Sequence, residues 1–428
     1  MIKALAIGLI FLFGSIAGSA QAKVFIDVTS PDRKVFVAMA PFAAAKGDQK
    51  MAATIQDIVR QDLDLTGLFS YIDRAAYLNQ DPSPTKVKYT DWTSIGAEVL
   101  VKAELERTAK GISINLYVYD VFASQLVLRQ QYQGSDTKLR NLAHRASDGI
   151  YRLLTGKQSF FLTKILFTWD VSGTRQIYMM DVDGYGRQAL TKNRSINFSP
   201  AWVSDGRRIT FSSYISGDPD LYMLDLRTNE RITLSNHHGI EYTSDWFGNE
   251  LCFSRALDGN TELYLMNSQT RQASRLTNSP GIDIEPSWSP DGSRVAFVSS
   301  RSGKPHVYAM DRSGQNMQRL TFAGFHNVNP AWSPRGNLIA FAGKDQGLFD
   351  LFMIDPAGTQ IQRLTIDAGN NEKPSWSPDG RKILFTSSRS GRYQLYMMNS
   401  DGSDIRQITS GPGNFESPAW GPYATSGL

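Results

Sequence analysis

The chain has 428 residues, of which 41% are hydrophobic and 20% charged, with 35 Gly, 17 Tyr and 8 Trp. That length suits two domains rather than one small module, and the aromatic, turn-rich profile favours β structure over a helical bundle. The charges are spread evenly, 17 basic against 15 acidic residues over 23–156 and 27 against 26 over 157–428, so no segment has the basic excess that phosphate neutralisation needs and nucleic acid is excluded as a partner class.

Residues 1–22 read as a cleaved export signal. Lys3 supplies a positive start, Ala4 to Ala17 is uncharged and apolar, and Gly18-Ser19-Ala20-Gln21-Ala22 ends in a small-x-small cleavage pattern. A membrane anchor is the competing reading, but it needs roughly 20 apolar residues. No later stretch is apolar enough for a span, so the expected product is exported and free of membrane segments. Residues 23–33 alternate Val24, Ile26 and Val28 with Phe25 and polar residues, stopping at Ser30-Pro31. This segment is either a strand of the following domain or a detachable strand that pairs with another protein's sheet edge.

Residues 34–156 predict a small α+β domain. Val35 to Ala40 reads as a strand and Lys50 to Leu65 as a helix with Ile55, Ile58, Val59 and Leu63 on one face. Strands follow at Glu98–Glu106, Ile112–Phe122 and Leu126–Tyr132, then a helix from about Thr137 to Leu154. The linker at Thr155-Gly156-Lys157 is short, which places the two domains in contact.

From residue 157 to 428 one unit recurs six times. Trp202, Trp246, Trp288, Trp332, Trp376 and Trp420 are separated by 44, 42, 44, 44 and 44 residues. Tyr178, Tyr222, Tyr264, Tyr308, Phe352 and Tyr396 follow in register, and Thr191, Thr233, Thr277, Thr321, Thr365 and Thr409 close the units. Within a unit, a Trp strand passes through a turn such as Ser289-Pro290-Asp291-Gly292 into a second strand, and two more strands follow. Four short strands per repeat of about 44 residues predict a six-bladed β-propeller. Pro stands two residues before five of the six Trp. Because Pro cannot donate to a central ladder, the Trp strand is expected at the free inner edge, with its indole packed between blades. The last Trp strand and Ile165-Leu166-Phe167 are both orphans, and their pairing would close the ring.

Enzyme motifs are sparse. There is no Gly-x-Ser-x-Gly, His-Glu-x-x-His or phosphate-loop sequence, and prolyl-oligopeptidase-like proteases with similar repeats need a hydrolase domain of about 200 further residues. Cys252 reads as a buried strand residue without a partner for a disulfide. His237 and His238 are either surface residues or metal ligands. Asp181-x-Asp183-Gly184 opens like a calcium loop without the remaining ligands, and a hairpin turn explains it as well. Positions five before each Trp (Asn197, Glu241, Asp283, Asn327, Asn371, Phe415) and three before it are expected to ring one mouth of the channel. They are read as solvated loop residues, as a shallow binding surface, or as a cation site among Glu241, Asp283 and Glu285. A metal-assisted propeller enzyme of polysaccharide-lyase type is the enzymatic alternative; the main reading is non-enzymatic, with no cofactor or metal.

The order of export signal, small α+β domain and six Trp-Ser-Pro-Asp-Gly-type repeats, ending at Ser417-Pro418-Ala419-Trp420-Gly421-Pro422-Tyr423, resembles the TolB family of the Tol–Pal envelope system of Gram-negative bacteria. The resemblance implies a periplasmic adaptor that supports outer-membrane integrity and constriction at cell division. It implies that Pal lipoprotein binds at the channel mouth, with His238, Asp283, Ile284, Glu285, Asn327 and Asn371 as candidates and His237 less well matched. It implies that TolA binds the N-terminal segment, here Lys23, Val24, Phe25, Ile26, Asp27 and Val28, with other outer-membrane proteins open as further partners. The loop 236–243 departs from the repeat and cannot be matched position by position.

Overall fold

The computed structural model describes residues 33–423, apart from 110, 172, 236–238 and 258. The expected signal and residues 23–32 lie outside the described residues. Alternating apolar residues build the first domain. Strands β1 (Val35–Met39), β2 (Ala43–Ala44), β3 (Phe69–Tyr71), β4 (Val99–Thr108), β5 (Gly111–Asp120) and β6 (Gln125–Gly134) form one sheet in the order β3-β1-β4-β5-β6, with β2 beside β4. Val37, Val101, Ile114 and Leu116 face α1 (Gln49–Leu65) and α2 (Leu139–Thr155), while Ala38, Leu100 and Tyr119 face Tyr77 and Trp92 on the other side. The short strands β2 and β3 were not anticipated. On the second face Lys102 is buried, and its ammonium donates to the carbonyls of Asp81, Ser83 and Lys86 at 2.8, 2.7 and 3.3 Å. That pins the long connection between α1 and β4.

The second domain is a six-bladed β-propeller of four-stranded antiparallel sheets. We number the blades by their inner strands: Asn197–Trp202, Ile240–Phe247, Asp283–Trp288, His326–Trp332, Asn371–Trp376 and Asn414–Trp420. A cavity of about 570 Å³ on the central axis is lined by residues from all six Trp strands, among them Pro200, Pro286, Pro330, Pro374 and Pro418. The Trp strands are therefore innermost. Each indole packs on the preceding blade as well as its own: Trp332 meets Ala296 and Val307 of blade 3, and Trp376 meets Ala342 and Leu351 of blade 4. The in-register aromatics of the third strands pair with Phe of the second strands in every blade, from Phe167–Tyr178 at 5.7 Å to Phe385–Tyr396 at 6.0 Å.

The closing Thr of five units has an internal role, accepting the third strand's backbone N–H through its Oγ1, as in Leu351 N to Thr365 at 2.9 Å. The first blade differs from the sequence series. There Ser235 accepts from Leu221 N at 3.2 Å, and Thr233 is exposed on the outer strand. Ser235 stands 13 residues after Tyr222, the offset that each of the other closing Thr keeps from its aromatic, whereas Thr233 is two residues out of register.

Blade 6 is made from both ends of the array. Its inner strand pairs antiparallel with Lys164–Val171, Trp420 opposite Ile165 and Phe415 opposite Trp169. The same first strand follows the helical domain through Gly156, whose φ of 67° and N–H to Arg152 O at 2.8 Å end α2 in the left-handed conformation glycine accommodates. The domains share one apolar cluster through Phe160, Phe161, Phe167 and Trp420. Arg381 donates to Tyr151 Oη at 2.9 Å and Arg406 pairs with Asp64 at 2.5 Å across the same boundary.

Two outcomes follow from this packing. Deleting residues 414–428 removes buried Phe415 and Trp420, each worth about 3–5 kcal/mol; the calorimetric midpoint should fall by roughly 10 °C, and an unchanged midpoint contradicts closure by this strand. Asp245 gives the second. It accepts the backbone N–H groups of Trp246 and Trp288 at 2.9 and 2.7 Å, and burial pushes its carboxyl up to about 6. With the folded value above the unfolded one, its contribution is complete below about pH 4 and lost as pH rises through about 6. Asp245→Ser, the residue that Ser287 and Ser375 supply in blades 3 and 5, should therefore flatten the pH dependence of the urea midpoint between pH 4 and 6.5. An unaltered slope would refute the assignment.

Candidate partner-binding face

The two faces of the propeller are unlike. The Trp-to-second-strand turns and the third-to-fourth-strand turns of blades 4–6 meet the helical domain, with Arg335, Arg381, Lys382 and Ser403 beside Tyr151 and Gly67. The opposite face is formed by the starts of the inner strands and by the loops joining second to third strands. Antiparallel order puts all of these at the same end of each blade.

At that end the expected mouth residues are not where solvated residues would be. Asn197, Glu241, Asp283 and Asn371 are each 0% exposed and Asn327 is 4% exposed. The expectation that positions five before the Trp ring an open mouth is corrected: they lie inside the wall, between neighbouring blades. Each stands 21 residues after a polar residue near the start of the preceding blade's third strand: Gln176, Asp220, Glu262, His306 and Asp350. Asn197 donates to Gln176 Oε1 at 3.0 Å, Asn371 Nδ2 lies 3.2 Å from Asp350 Oδ1, and Asn327 Nδ2 lies 3.0 Å from His306 Nδ1. Burial, with the charges of Arg319 and Lys304, lowers the His306 imidazole to about 4, so it faces Asn327 as a neutral acceptor. Backbone bonds repeat the link, from Asn327 N to Pro305 O at 2.9 Å and from Asn371 N to Phe349 O at 2.8 Å. The sequence signal for this is the fixed offset of 21 between two polar residues, which composition at the Trp alone does not reveal.

The acids of this ring are matched by arginines. Asp283 receives Arg301 Nη2 at 2.6 Å, and burial raises its carboxyl against the pull of Ser299 and Arg301. Glu241 receives Arg255 Nε at 2.5 Å and is pushed up to about 7 by burial. Arg389 donates to Asn371 Oδ1 at 2.8 Å. Positions three before the Trp behave differently. Glu285, Asn329, Lys373 and Ser417 have φ of 56°, 53°, 53° and 51°, in a bulge that breaks each inner strand's register before its Pro. Their side chains form a chain around the channel. Glu285 accepts Asn329 N and Nδ2 at 2.6 and 2.8 Å, Asn329 Oδ1 accepts Lys373 N at 3.3 Å, and Lys373 Nζ donates to Ser417 Oγ at 2.8 Å. Burial raises the Glu285 carboxyl.

Ile284 lies within the blade 3 bulge, half-buried. His238 and His237 lie outside the described residues, as do Lys23, Val24, Phe25, Ile26, Asp27 and Val28. Glu241, Asp283 and Glu285 are each engaged separately and do not converge as a cation site. Among the described residues, the one group of three that could hold a metal is Asp62, His144 and Asp183, away from the channel.

What this face does expose is apolar. Ile196, Ile240 and Ile282, each directly before a buried ring residue, are 45%, 44% and 48% exposed, and Phe322, Phe325 and Ile366 in the neighbouring entry loops are 70%, 43% and 71% exposed. Apolar side chains gathered on one face of a folded protein mark an interaction surface. The sequence reading passed over them because each stands beside a polar residue in a loop. Cys252 is fully buried, and burial raises its thiol, which suits packing rather than chemistry.

Comparison with known proteins agrees with this architecture. Residues 151–424 match the family model described as the TolB beta propeller domain, and residues 24–127 match the TolB amino-terminal domain. The Tol-Pal system protein TolB of Anaeromyxobacter sp. (strain K) is 39% identical over 218 residues, 50% of each chain. That of Paramagnetospirillum magneticum is 34% identical over 224 residues, again 50% of each. The matches thus span about half the length of the curated relatives. The crystal structure of TolB from Acinetobacter baumannii superposes with a TM-score of 0.82 at 28% identity, covering 94% of this chain and 98% of that one. The chain belongs to the TolB family of Tol-Pal system proteins.

Proposed function

We propose that this protein is a periplasmic, non-enzymatic adaptor of the Tol–Pal system, with Pal bound on the propeller face opposite the helical domain and TolA bound by residues 23–33. The carrying observation is the exposed apolar set Ile196, Ile240, Ile282, Phe322, Phe325 and Ile366 on a face that the helical domain leaves open. Family membership supplies the system. No helix among the described residues is long and apolar enough to cross a membrane, which is compatible with a periplasmic location.

In this reading the candidate residues divide by burial. Asp283, Asn327 and Asn371 act indirectly, by fixing the strand starts that carry the exposed isoleucines and phenylalanines. Ile284 and Glu285 shape the channel rim beside them, and His238, outside the described residues, is kept as a candidate on the family resemblance. Lys23, Val24, Phe25, Ile26, Asp27 and Val28 supply an alternating strand for pairing with TolA by edge addition. The adaptor would thereby link the two envelope layers and support outer-membrane integrity and constriction at division.

The double variant Ile282→Asp, Phe325→Asp tests the face. Titrated calorimetrically against purified Pal, it should bind about tenfold more weakly or worse, a change of about 1.4 kcal/mol. Its melting midpoint should stay near that of the parent, since exposed substitutions change stability by about 0.5 kcal/mol or less. Full-strength binding by the variant, or none by the parent, rejects this surface.

A further inference from the structure

Among the repeated blades one leaves a cation without its internal partner. In blades 2, 3 and 4 an arginine stands two residues before the closing Thr, as Arg275, Arg319 and Arg363. Its Nε donates to that Thr's carbonyl at 2.7, 2.7 and 3.0 Å, so the three guanidinium groups are anchored alike. Thirteen residues before each arginine, near the start of the third strand, is the position that faces it. In blade 2 this is Glu262, which receives Arg275 Nη2 at 2.7 Å, and in blade 4 it is Asp350, which pairs with Arg363. In blade 3 the position is held by His306.

His306 cannot neutralise Arg319. Its Nδ1 lies 3.0 Å from Asn327 Nδ2 and 3.3 Å from Thr321 Oγ1, the same two partners that Asn371 and Thr365 supply to Asp350 in blade 4. Burial, with the charges of Arg319 and Lys304, keeps the imidazole neutral. Among the described residues no carboxylate pairs with Arg319 or with Lys304, and Asp283, the acid at the start of blade 3's inner strand, is taken by Arg301 at 2.6 Å. The two cations rest on exposed rings of the open face instead, Arg319 over Phe322 at 4.9 Å and Lys304 over Phe325 at 3.4 Å. Contact with a ring occupies the face of a guanidinium and leaves the Nη donors at its edge.

Resting on the partner-binding reading of the open face, we propose that these residues form a carboxylate-receiving subsite, in which Arg319 and Lys304 take an acidic side chain of the bound protein, Pal in that reading. The planar fork of Arg319 matches a carboxylate, and an anion relieves the repulsion between two cations that act on one imidazole. The rings that carry the cations are themselves part of the exposed apolar set, so the surface fits an acidic residue flanked by apolar ones. Because Arg275 and Arg363 are already neutralised within their own blades, the partner's acid is directed to blade 3. That fixes the partner's rotation about a channel whose six blades are otherwise alike.

The test is a calorimetric titration of Pal into the full chain at about 0.05 M and about 0.5 M NaCl. Arg319→Gln should weaken binding about tenfold at the lower salt and less at the higher. His306→Asp should do the same while leaving the exposed surface intact, because it gives Arg319 the internal partner that Asp350 gives Arg363. Its melting midpoint should hold, since Asn327 and Thr321 would bond the new carboxylate as Asn371 and Thr365 bond Asp350. Should that variant fail to fold, Arg319→Gln alone decides. Unchanged affinity in Arg319→Gln, or in a folded His306→Asp, overturns the subsite; if Ile282→Asp, Phe325→Asp still weakens binding, the apolar face stands without it. No binding by the parent overturns both.

Discussion

Closure of the ring is the constraint from which the rest of this structure follows. A four-stranded sheet with two apolar faces is stable only between neighbours, and six of them leave two open faces unless the last meets the first. The chain solves this by displacing its repeat by one strand, so that Asn414–Trp420 completes the sheet begun at Lys164–Val171. The displacement also leaves no free strand edge at the seam. Because Lys164 follows the helical domain after only a short linker, the closing blade becomes the one that domain rests on. Phe160, Phe161 and Trp420 accordingly belong to one core with Leu142 and Ile150 of α2.

Closure has a second consequence at the channel. Six inner strands converge on one axis, and their starts must be held apart and together by groups that cannot be apolar throughout, since each strand start leaves backbone groups to satisfy. The buried polar pairs at a 21-residue offset do this work between blades. Their burial is tolerable because they are hydrogen-bonded, to each other in Gln176–Asn197, His306–Asn327 and Asp350–Asn371 and to Arg255 and Arg301 where two acids meet; leaving one such group unpaired would cost about 1–3 kcal/mol. Within the channel, left-handed Glu285, Asn329, Lys373 and Ser417 link side chain to the next blade's backbone or side chain. Polar residues near the mouth are thus the scaffold, and the apolar residues beside them are the surface.

This inversion marks the limit of what the sequence made legible. The Trp interval, the tight turns and the Pro two residues earlier were sufficient for blade number, strand order, inner position and the closing pair, because those depend on local chemistry repeated six times. The helices of the first domain were visible through their apolar faces, at Ile55, Ile58 and Val59 and at Leu142, Ala146 and Ile150. Burial of Asp283 and Asn371 was not visible, since a lone polar residue in a loop is ordinarily exposed and its partner lies in another blade. The replacement of Thr233 by Ser235 was legible, since Ser235 keeps the 13-residue offset from Tyr222 that the other closing Thr keep from their aromatics; the chemical identity of Thr233 drew the series off register.

The two faces of the propeller therefore carry different kinds of interaction. One is covered by the helical domain through charged and aromatic contacts, Arg406 with Asp64 and Arg381 with Tyr151, of the polar character that interfaces between domains ordinarily have. The other is open and apolar, as a surface for a separate protein should be. One route between the faces is through the inner strands, which run the length of the channel and touch both. The linked side chains from Glu285 to Ser417 join four of these six strands, and the last two of them, in blades 5 and 6, belong to blades that also contact α2. A displacement at the open mouth of blade 3 thus has a continuous hydrogen-bonded route to the blade on which the helical domain is seated, the kind of contiguous network that coupling between distant sites can use.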